Sequence, residues 1–220
     1  MTKVISFSLW GDNPKYTIGA IKNAELSQQI YPSWLCYFFV GNSVPDEIIN
    51  KLALFPNVRI IHKNEPGDWS SMFWRFETSY DESVEISIFR DTDSRLSLRE
   101  KNAVDEWLQS DKTFHIMRDH PFHRFPILGG MWGYKYNPIY DMKSLISNFA
   151  KSNQYGTDYQ FFYDTLYPII KTDKIVHDPF FDKIPFPSSR NGQEFVGEIY
   201  DENNVRHPEH YRYIPCNTNL

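Results

Sequence analysis

Cysteine is almost missing from this chain. Cys36, inside an apolar run, and Cys216, near the C-terminus, are the only two, with no metal-ligand spacing between them. That excludes a disulfide framework and points to a reducing compartment, the cytoplasm. A long hydrophobic run is also missing. The first apolar stretch, Met1 to Trp10, stops at Gly11-Asp12-Asn13-Pro14. It is too short for a signal peptide with its cleavage site and far too short to span a bilayer, so a soluble chain with no transmembrane segment is expected. There is no surplus of positive charge: 23 Lys and Arg stand against 28 Asp and Glu, a formal net charge of −5 with a pI near 5.8. A broad nucleic-acid surface is thereby excluded, whereas small anionic ligands remain open to a local Arg pair or a bound metal. Internal repeats, low-complexity segments and clean boundaries are absent too, and 220 residues suffice for one substantial core. A single domain over residues 1–220 is expected.

What the chain has in quantity is aromatic residues, 17% of the total. Most must be core, and some are expected to line a concave site where sugar C–H faces stack. Along the chain, Val4–Leu9 reads as a strand and Pro14–Ile30 as a helix with proline in its first turn. Trp34–Val40 is a continuous apolar run of the kind buried on both sheet faces. A short helix from Pro45 to Leu54, a strand Val58–His62, a helix Trp69–Tyr80 and a strand Glu85–Phe89 follow. Strand and helix alternate with short connections, which predicts an α/β fold with a mainly parallel central sheet between helical layers. Beyond that point the order is more mixed: a helix Ser97–Gln109, strands Phe114–Arg118 and one starting at Gly129, helices Ile139–Lys151 and Asp158–Ile170, and a strand Lys174–His177. The proline-bearing tail reads as loop, with one strand at Phe195–Tyr200.

One motif stands out. The strand Glu85–Phe89 ends in Arg90-Asp91-Thr92-Asp93. Side chains at i and i+2 of an extended chain point the same way, so Asp91 and Asp93 can converge on one hard cation while Arg90 and Thr92 face elsewhere. The competing reading of the same residues is a solvated turn capping the next helix through Ser94 or Ser97. Ligands of parallel sheets bind beyond the carboxyl ends of strands, and both Ser8–Gly11 and Asp91–Asp93 lie at such ends.

In this order the residues resemble the GT-A class of nucleotide-sugar-dependent glycosyltransferases, and within it the retaining, glycogenin-like and bacterial galactosyltransferase-like branch. The resemblance rests on Ser8-Leu9-Trp10-Gly11 with Tyr16 and Gly19-Ala20, on Arg75, on Asp91-Thr92-Asp93, on Arg118-Asp119 and Gly129-Gly130-Met131, on Tyr155 to Gln160, and on His177. The chain is also similar to short GT-A-like proteins of bacteria and large viruses over Phe89–Lys101, His115–Pro121 and Gly129–Gly133, a likeness that supplies no substrate. Two departures from the branch are visible: a tyrosine separates Asp158 from Gln160, and no Gly-x-x-Lys-Pro-Trp element follows His177.

The resemblance implies a GT-A-like three-layer sandwich, a Mn²⁺ or Mg²⁺ ion, a nucleotide-diphosphate sugar donor (UDP foremost) and a glycan, lipid-linked sugar or protein acceptor, with retention of configuration. Asp91, Asp93 and His177 would hold the metal. Ser8, Leu9, Trp10, Gly11, Tyr16, Arg75, Arg118, Gly129 and Gly130 would contact the donor, and Asp119 and Asp158 would serve the reacting sugar. For Arg90 a salt bridge away from the site is the alternative, for Asp158 a helix-capping role, and for Gly129-Gly130 a simple tight turn. His120 and His123 are expected on the acceptor side, with His115 nearby. Three other readings compete: a haloacid-dehalogenase-type phosphatase, disfavoured by Arg95 and by a motif off the first strand; a nucleotidyltransferase, whose Gly-rich, Lys-bearing first loop is absent; and a non-catalytic nucleotide-sugar or carbohydrate-binding protein.

Overall fold

The computed structural model describes residues 2–215. Cys216 lies outside them. One seven-stranded sheet organises the chain, built from β1 (Thr2–Leu9), β2 (Leu35–Val40), β3 (Val58–His62), β4 (Val84–Phe89), β5 (Phe114–Met117), β6 (Trp132–Lys135) and β7 (Lys174–His177). The strand order is β3-β2-β1-β4-β6-β5-β7, parallel throughout except that β6 runs antiparallel to both β4 and β5. After β3 the chain crosses back to place β4 beside β1, so the strand order reverses at the β1/β4 pair. The crevice beyond the ends of those strands is where such sheets take ligands.

Alternation along β1 sorts the two faces. Ile5, Phe7 and Leu9 point into a core with α1 (Pro14–Ile30), α2 (Asp46–Ala53) and Trp107 of α3 (Leu98–Gln109), where Phe7 stacks on Phe38 at 4.7 Å. The intervening Ser6 and Ser8 face the helix Trp69–Tyr80. Phe73 and Phe76 of that helix join Phe89, Trp132, Phe161 and Phe162 in a second core on the opposite side. Two helical layers around one sheet result, the expected three-layer architecture.

The helix Trp69–Tyr80 is a 3₁₀ helix over its whole length, an uncommonly long run for that geometry. Serine and threonine hydroxyls within it bond back three residues, Ser79 to the Phe76 carbonyl at 2.6 Å and Thr78 to that of Arg75 at 3.3 Å. Three residues per turn set Trp69, Met72 and Arg75 in one row, which an α-helix would fan apart. Ser6 donates to the Arg75 carbonyl at 2.6 Å and Ser8 accepts from the Arg75 N–H at 3.0 Å, so the row is pinned to β1.

Other elements depart from expectation for local reasons. The helix expected over Asp158–Ile170 is α5 (Thr157–Phe161), a π-helical turn (Phe162–Leu166) and α6 (Tyr167–Ile169). There the Tyr167 N–H reaches back to the Phe162 carbonyl, and Pro168 supplies no donor of its own. The helix expected over Ile139–Lys151 shortens to α4 (Met142–Asn148). Phe195–Tyr200 is no strand: Gly197, at φ +82°, breaks the extended run, leaving single bridges Ser94–Ile199 and Tyr200–Arg206. The last helix is α7 (Pro208–Tyr211). Among the described residues no helix is long and apolar enough to cross a membrane.

Arg90 fixes the end of β4. Its guanidinium is buried, donating to Glu100 at 2.7 Å and to the carbonyls of Phe89 and Trp132 at 2.6 and 3.0 Å, while Glu100 also accepts from Tyr31 at 2.9 Å. Removing one partner of such a pair leaves an uncompensated buried charge. Glu100→Ala is expected to lower unfolding stability by about 3–5 kcal/mol in a urea titration, and Glu100→Gln, which keeps an acceptor, by less.

Candidate active site

A cleft of about 750 Å³ opens at the carboxyl ends of β1 and β4. From β1 and the turn after it come Ser8, Leu9, Trp10 and Gly11, with Asn13 and Tyr16 from the start of α1. Gly11 adopts φ +71° and donates its N–H to Ser43 Oγ at 2.7 Å, which turns the chain into Asn13, the N-cap that accepts from the Lys15 N–H. The 3₁₀ row contributes Trp69, Met72 and Arg75. Asp91, Thr92 and Asp93 form the floor, and Gly129, Asp158 and Tyr159 the far wall.

The charges on that floor are compensated locally. Arg75 is buried, ion-paired with Asp91 and 3.5 Å from Asp158 Oδ2, and it donates to the Arg90 carbonyl at 3.1 Å. Asp93 is paired with Lys15 at 2.7 Å. Burial, and then the charge of Asp91, raise the Asp93 carboxyl above its ordinary value. Asp158 is fully buried; its Oδ1 accepts the Tyr159 N–H at 3.1 Å, and its Oδ2 has no hydrogen-bond partner. Gly129 and Gly130 sit behind this cluster: a Cβ on Gly129 would collide with Asp158 Oδ2, and one on Gly130 with Asp91 Oδ2. Both glycines are therefore required by the carboxylates themselves.

Two carboxylates one residue apart on a cleft floor fit a hard divalent cation that takes its other oxygens from water and phosphate. The third expected ligand is not brought there. His177 ends β7, and three interstrand steps of about 4.8 Å, roughly 14 Å, separate β7 from β4. Its ring is buried, with Nδ1 2.8 Å from His115 Nε2 and Nε2 facing Glu106 at 3.6 Å. Among the described residues no group of three or more His, Cys, Asp or Glu side chains is arranged to hold a metal.

Asp119 and Arg118 are also displaced from the expected roles. Asp119 accepts from Arg99 at 2.9 and 3.0 Å, from Arg190 at 2.6 Å and from the Val196 N–H at 2.9 Å, which leaves nothing for a sugar. Arg118 bonds Asp178 at 2.8 Å and Asp182, tying β5 to the segment after β7. Gln160 turns outward to Asp164, so of the expected Asp-Gln pair only Asp158 reaches the cleft. His120 and His123 do line it, whereas His115 stacks on Trp107 in the core.

Sequence reasoning missed two residues here. Lys15 sits in the first turn of α1, a position with no motif of its own. His210 lines the cleft from α7, and burial, followed by the charges of His207 and Lys15, holds its pKa down against the opposing charge of Asp93. The only signal for it was a proline opening a short helix in a tail read as loop.

No protein-family model matches the sequence, and no curated protein matches it. Solved structures do resemble the fold. A glycosyltransferase involved in the glycosylation of the major capsid of PBCV-1 superposes with a TM-score of 0.55 at 16% identity, over 81% of this chain and 82% of that one. The glucosyl-3-phosphoglycerate synthase of Mycobacterium tuberculosis, crystallised with Mn²⁺, uridine diphosphate and phosphoglyceric acid, gives 0.52 at 13% identity over 80% and 68%. The 4-diphosphocytidyl-2C-methyl-D-erythritol synthase of Anaerococcus prevotii gives 0.54 at 8% identity over 86% and 94%. At such identities the likeness is one of fold: this chain has the GT-A-like α/β fold of the first two.

The buried Asp158 has a pH signature. Burial first, opposed by Arg75 and assisted by Asp91, pushes its carboxyl from 3.8 up to about 6. Between those values the folded chain holds more protons than the unfolded one, so its stability falls as pH rises through the window. Asp158→Asn is expected to flatten that slope in pH-dependent urea unfolding, gaining roughly 2–3 kcal/mol above the window and nothing below it.

Proposed function

We propose that this protein is a metal-dependent glycosyltransferase that moves a sugar from a nucleotide diphosphate, UDP foremost, to a hydroxyl acceptor with retention of configuration. The observation that carries the reading is the convergence of Asp91, Asp93, Arg75 and Asp158 in one cleft at the β1/β4 crevice. The Mn²⁺ and uridine diphosphate of the Mycobacterium tuberculosis neighbour support the choice of metal and nucleotide.

Trp10, Gly11 and Tyr16, which line the cleft where β1 gives way to α1, would receive the base and ribose. Asp91 and Asp93 would hold a Mn²⁺ or Mg²⁺ ion; when bound, that ion would supply Lewis-acid stabilisation of the diphosphate leaving group. Arg75 keeps Nε and Nη2 without hydrogen-bond partners, two buried donors available to a phosphate or sugar oxygen. Asp158, next to it, presents an unbonded oxygen to the sugar, where a carboxylate stabilises positive charge developing at the anomeric carbon. Gly129 and Gly130 keep that wall thin.

Asp91→Asn and Asp93→Asn should each abolish the Mn²⁺-dependent thermal shift produced by UDP while leaving the protein folded. A shift of wild-type size in either variant rejects the metal assignment. Hydrolysis or transfer of a UDP-sugar by the wild-type protein separates an enzyme from a protein that only binds the donor.

A further inference from the structure

The cleft continues past Asp158 along a wall of aromatic rings drawn from four separate segments. Trp10 meets Trp69 edge-on at 6.2 Å, Trp69 meets Tyr155 at 5.1 Å, Tyr155 meets Tyr159 at 6.2 Å, and Tyr159 stacks on Phe125 at 4.3 Å. The middle and far end are open: Tyr155 is 71% exposed, Phe125 43% and Trp69 37%. A contiguous exposed aromatic surface is costly in water and marks a binding surface. The Trp69 N–H bonds Asn153 Oδ1 at 3.1 Å, which ties two of the contributing segments together.

Charge narrows what this wall accepts. Four carboxylates (Asp12, Asp91, Asp93 and Asp158) line the cleft against a single guanidinium, Arg75. That guanidinium is ion-paired with Asp91 and Asp158 and its unbonded donors are the ones assigned to the nucleotide donor, while Lys15 beside the cleft is taken by Asp93. Arg124, on the loop carrying Phe125, lies over the Phe122 ring and bonds the Pro121 carbonyl. A phosphorylated or carboxylated acceptor would thus meet excess negative charge and, among the described residues, no cation other than Arg75 lining the cleft. The polar groups on offer are neutral. His123 accepts the Asp119 N–H on Nδ1 at 3.1 Å, which places its proton on Nε2 as a donor, and the tyrosines add hydroxyls.

Building on the proposed function, we infer that the acceptor is an uncharged sugar, a glycan terminus whose pyranose ring stacks on Tyr155 and Phe125 beside Asp158. The aromatic faces supply the apolar contact, and the His123 and tyrosine polar groups fix the hydroxyls.

The test uses the full chain with UDP and Mn²⁺, and reads ligand binding by saturation-transfer NMR. The probes are methyl glycosides of neutral hexoses, the corresponding hexose 6-phosphates and methyl glycosides of amino sugars. Neutral glycosides should bind, and Tyr155→Ala and Phe125→Ala should each weaken them by about tenfold, the upper range for one aromatic contact, while the UDP thermal shift stays at the wild-type size. Preferential binding of the 6-phosphates, lost in Arg124→Ala, overturns the inference, as does preference for amino sugars. A fall in the UDP shift in both aromatic variants assigns the wall to the nucleotide and overturns it as well. Absence of any UDP shift in the wild-type protein removes the donor reading first, and the acceptor assignment with it.

Discussion

The structure depends on compensating negative charge at the end of β4. Asp91, Asp93 and Asp158 are gathered within one cleft, two of them largely or fully buried, and such a group is tolerable only if cations reach it from elsewhere in the chain. Arg75 comes from the 3₁₀ helix and Lys15 from the first turn of α1. Much of the local architecture follows from bringing these two cations in. The serine hydroxyls of β1 pin the 3₁₀ helix at Arg75. Gly19 lets α1 pass against the Thr92 carbonyl, where a Cβ would collide, so the helix carrying Lys15 lies close to the motif.

What could be read from the sequence was what short-range periodicity encodes. Alternation in β1 and β4, the proline that opens α1 and the i, i+2 spacing of Asp91 and Asp93 are local signals, and the corresponding elements sit where those signals put them. Arg75 was reachable because the element carrying it was recognisable, although its 3₁₀ geometry, which aligns Trp69, Met72 and Arg75, depends on hydroxyl-to-backbone bonds that no pattern of apolar residues reports. His177, Asp119 and Arg118 were misplaced for one shared reason. All three lie at the ends of β5 and β7, and β6 inserts antiparallel between β4 and β5, carrying that edge away from the motif. Strand order is a long-range property, and hydrophobic periodicity is silent about it.

The tail illustrates the same limit. Its prolines read as loop, and it is loop for most of its length, yet it is fastened at several points: the Ser188 carbonyl to Arg99, Arg190 to Asp119, and the Tyr200 N–H to the Asp93 carbonyl at 2.9 Å. Asp119, one of the two residues expected to touch a sugar, instead serves as an anchor for this segment. Through such anchors the tail returns to the cleft, contributing Phe195, Ile199 and His210 to its lining.

The buried arginines differ in how many of their donors find partners: Arg90 leaves only Nη2 unbonded, whereas Arg75 leaves both Nε and Nη2. Arg99 and Arg118 spend their donors on carboxylates and carbonyls that hold strands and tail together. Arg75 is as deeply buried, yet its Nε and Nη2 lack hydrogen-bond partners, and the Asp158 oxygen opposite is equally unbonded. A buried donor or acceptor left in that state costs about 1–3 kcal/mol. The serine-pinned 3₁₀ helix holds Arg75 beside Asp158, and both residues line the cleft. A ligand offering both an oxygen to Arg75 and a hydroxyl to Asp158 recovers that cost, and a phosphate joined to a sugar has that pair of groups.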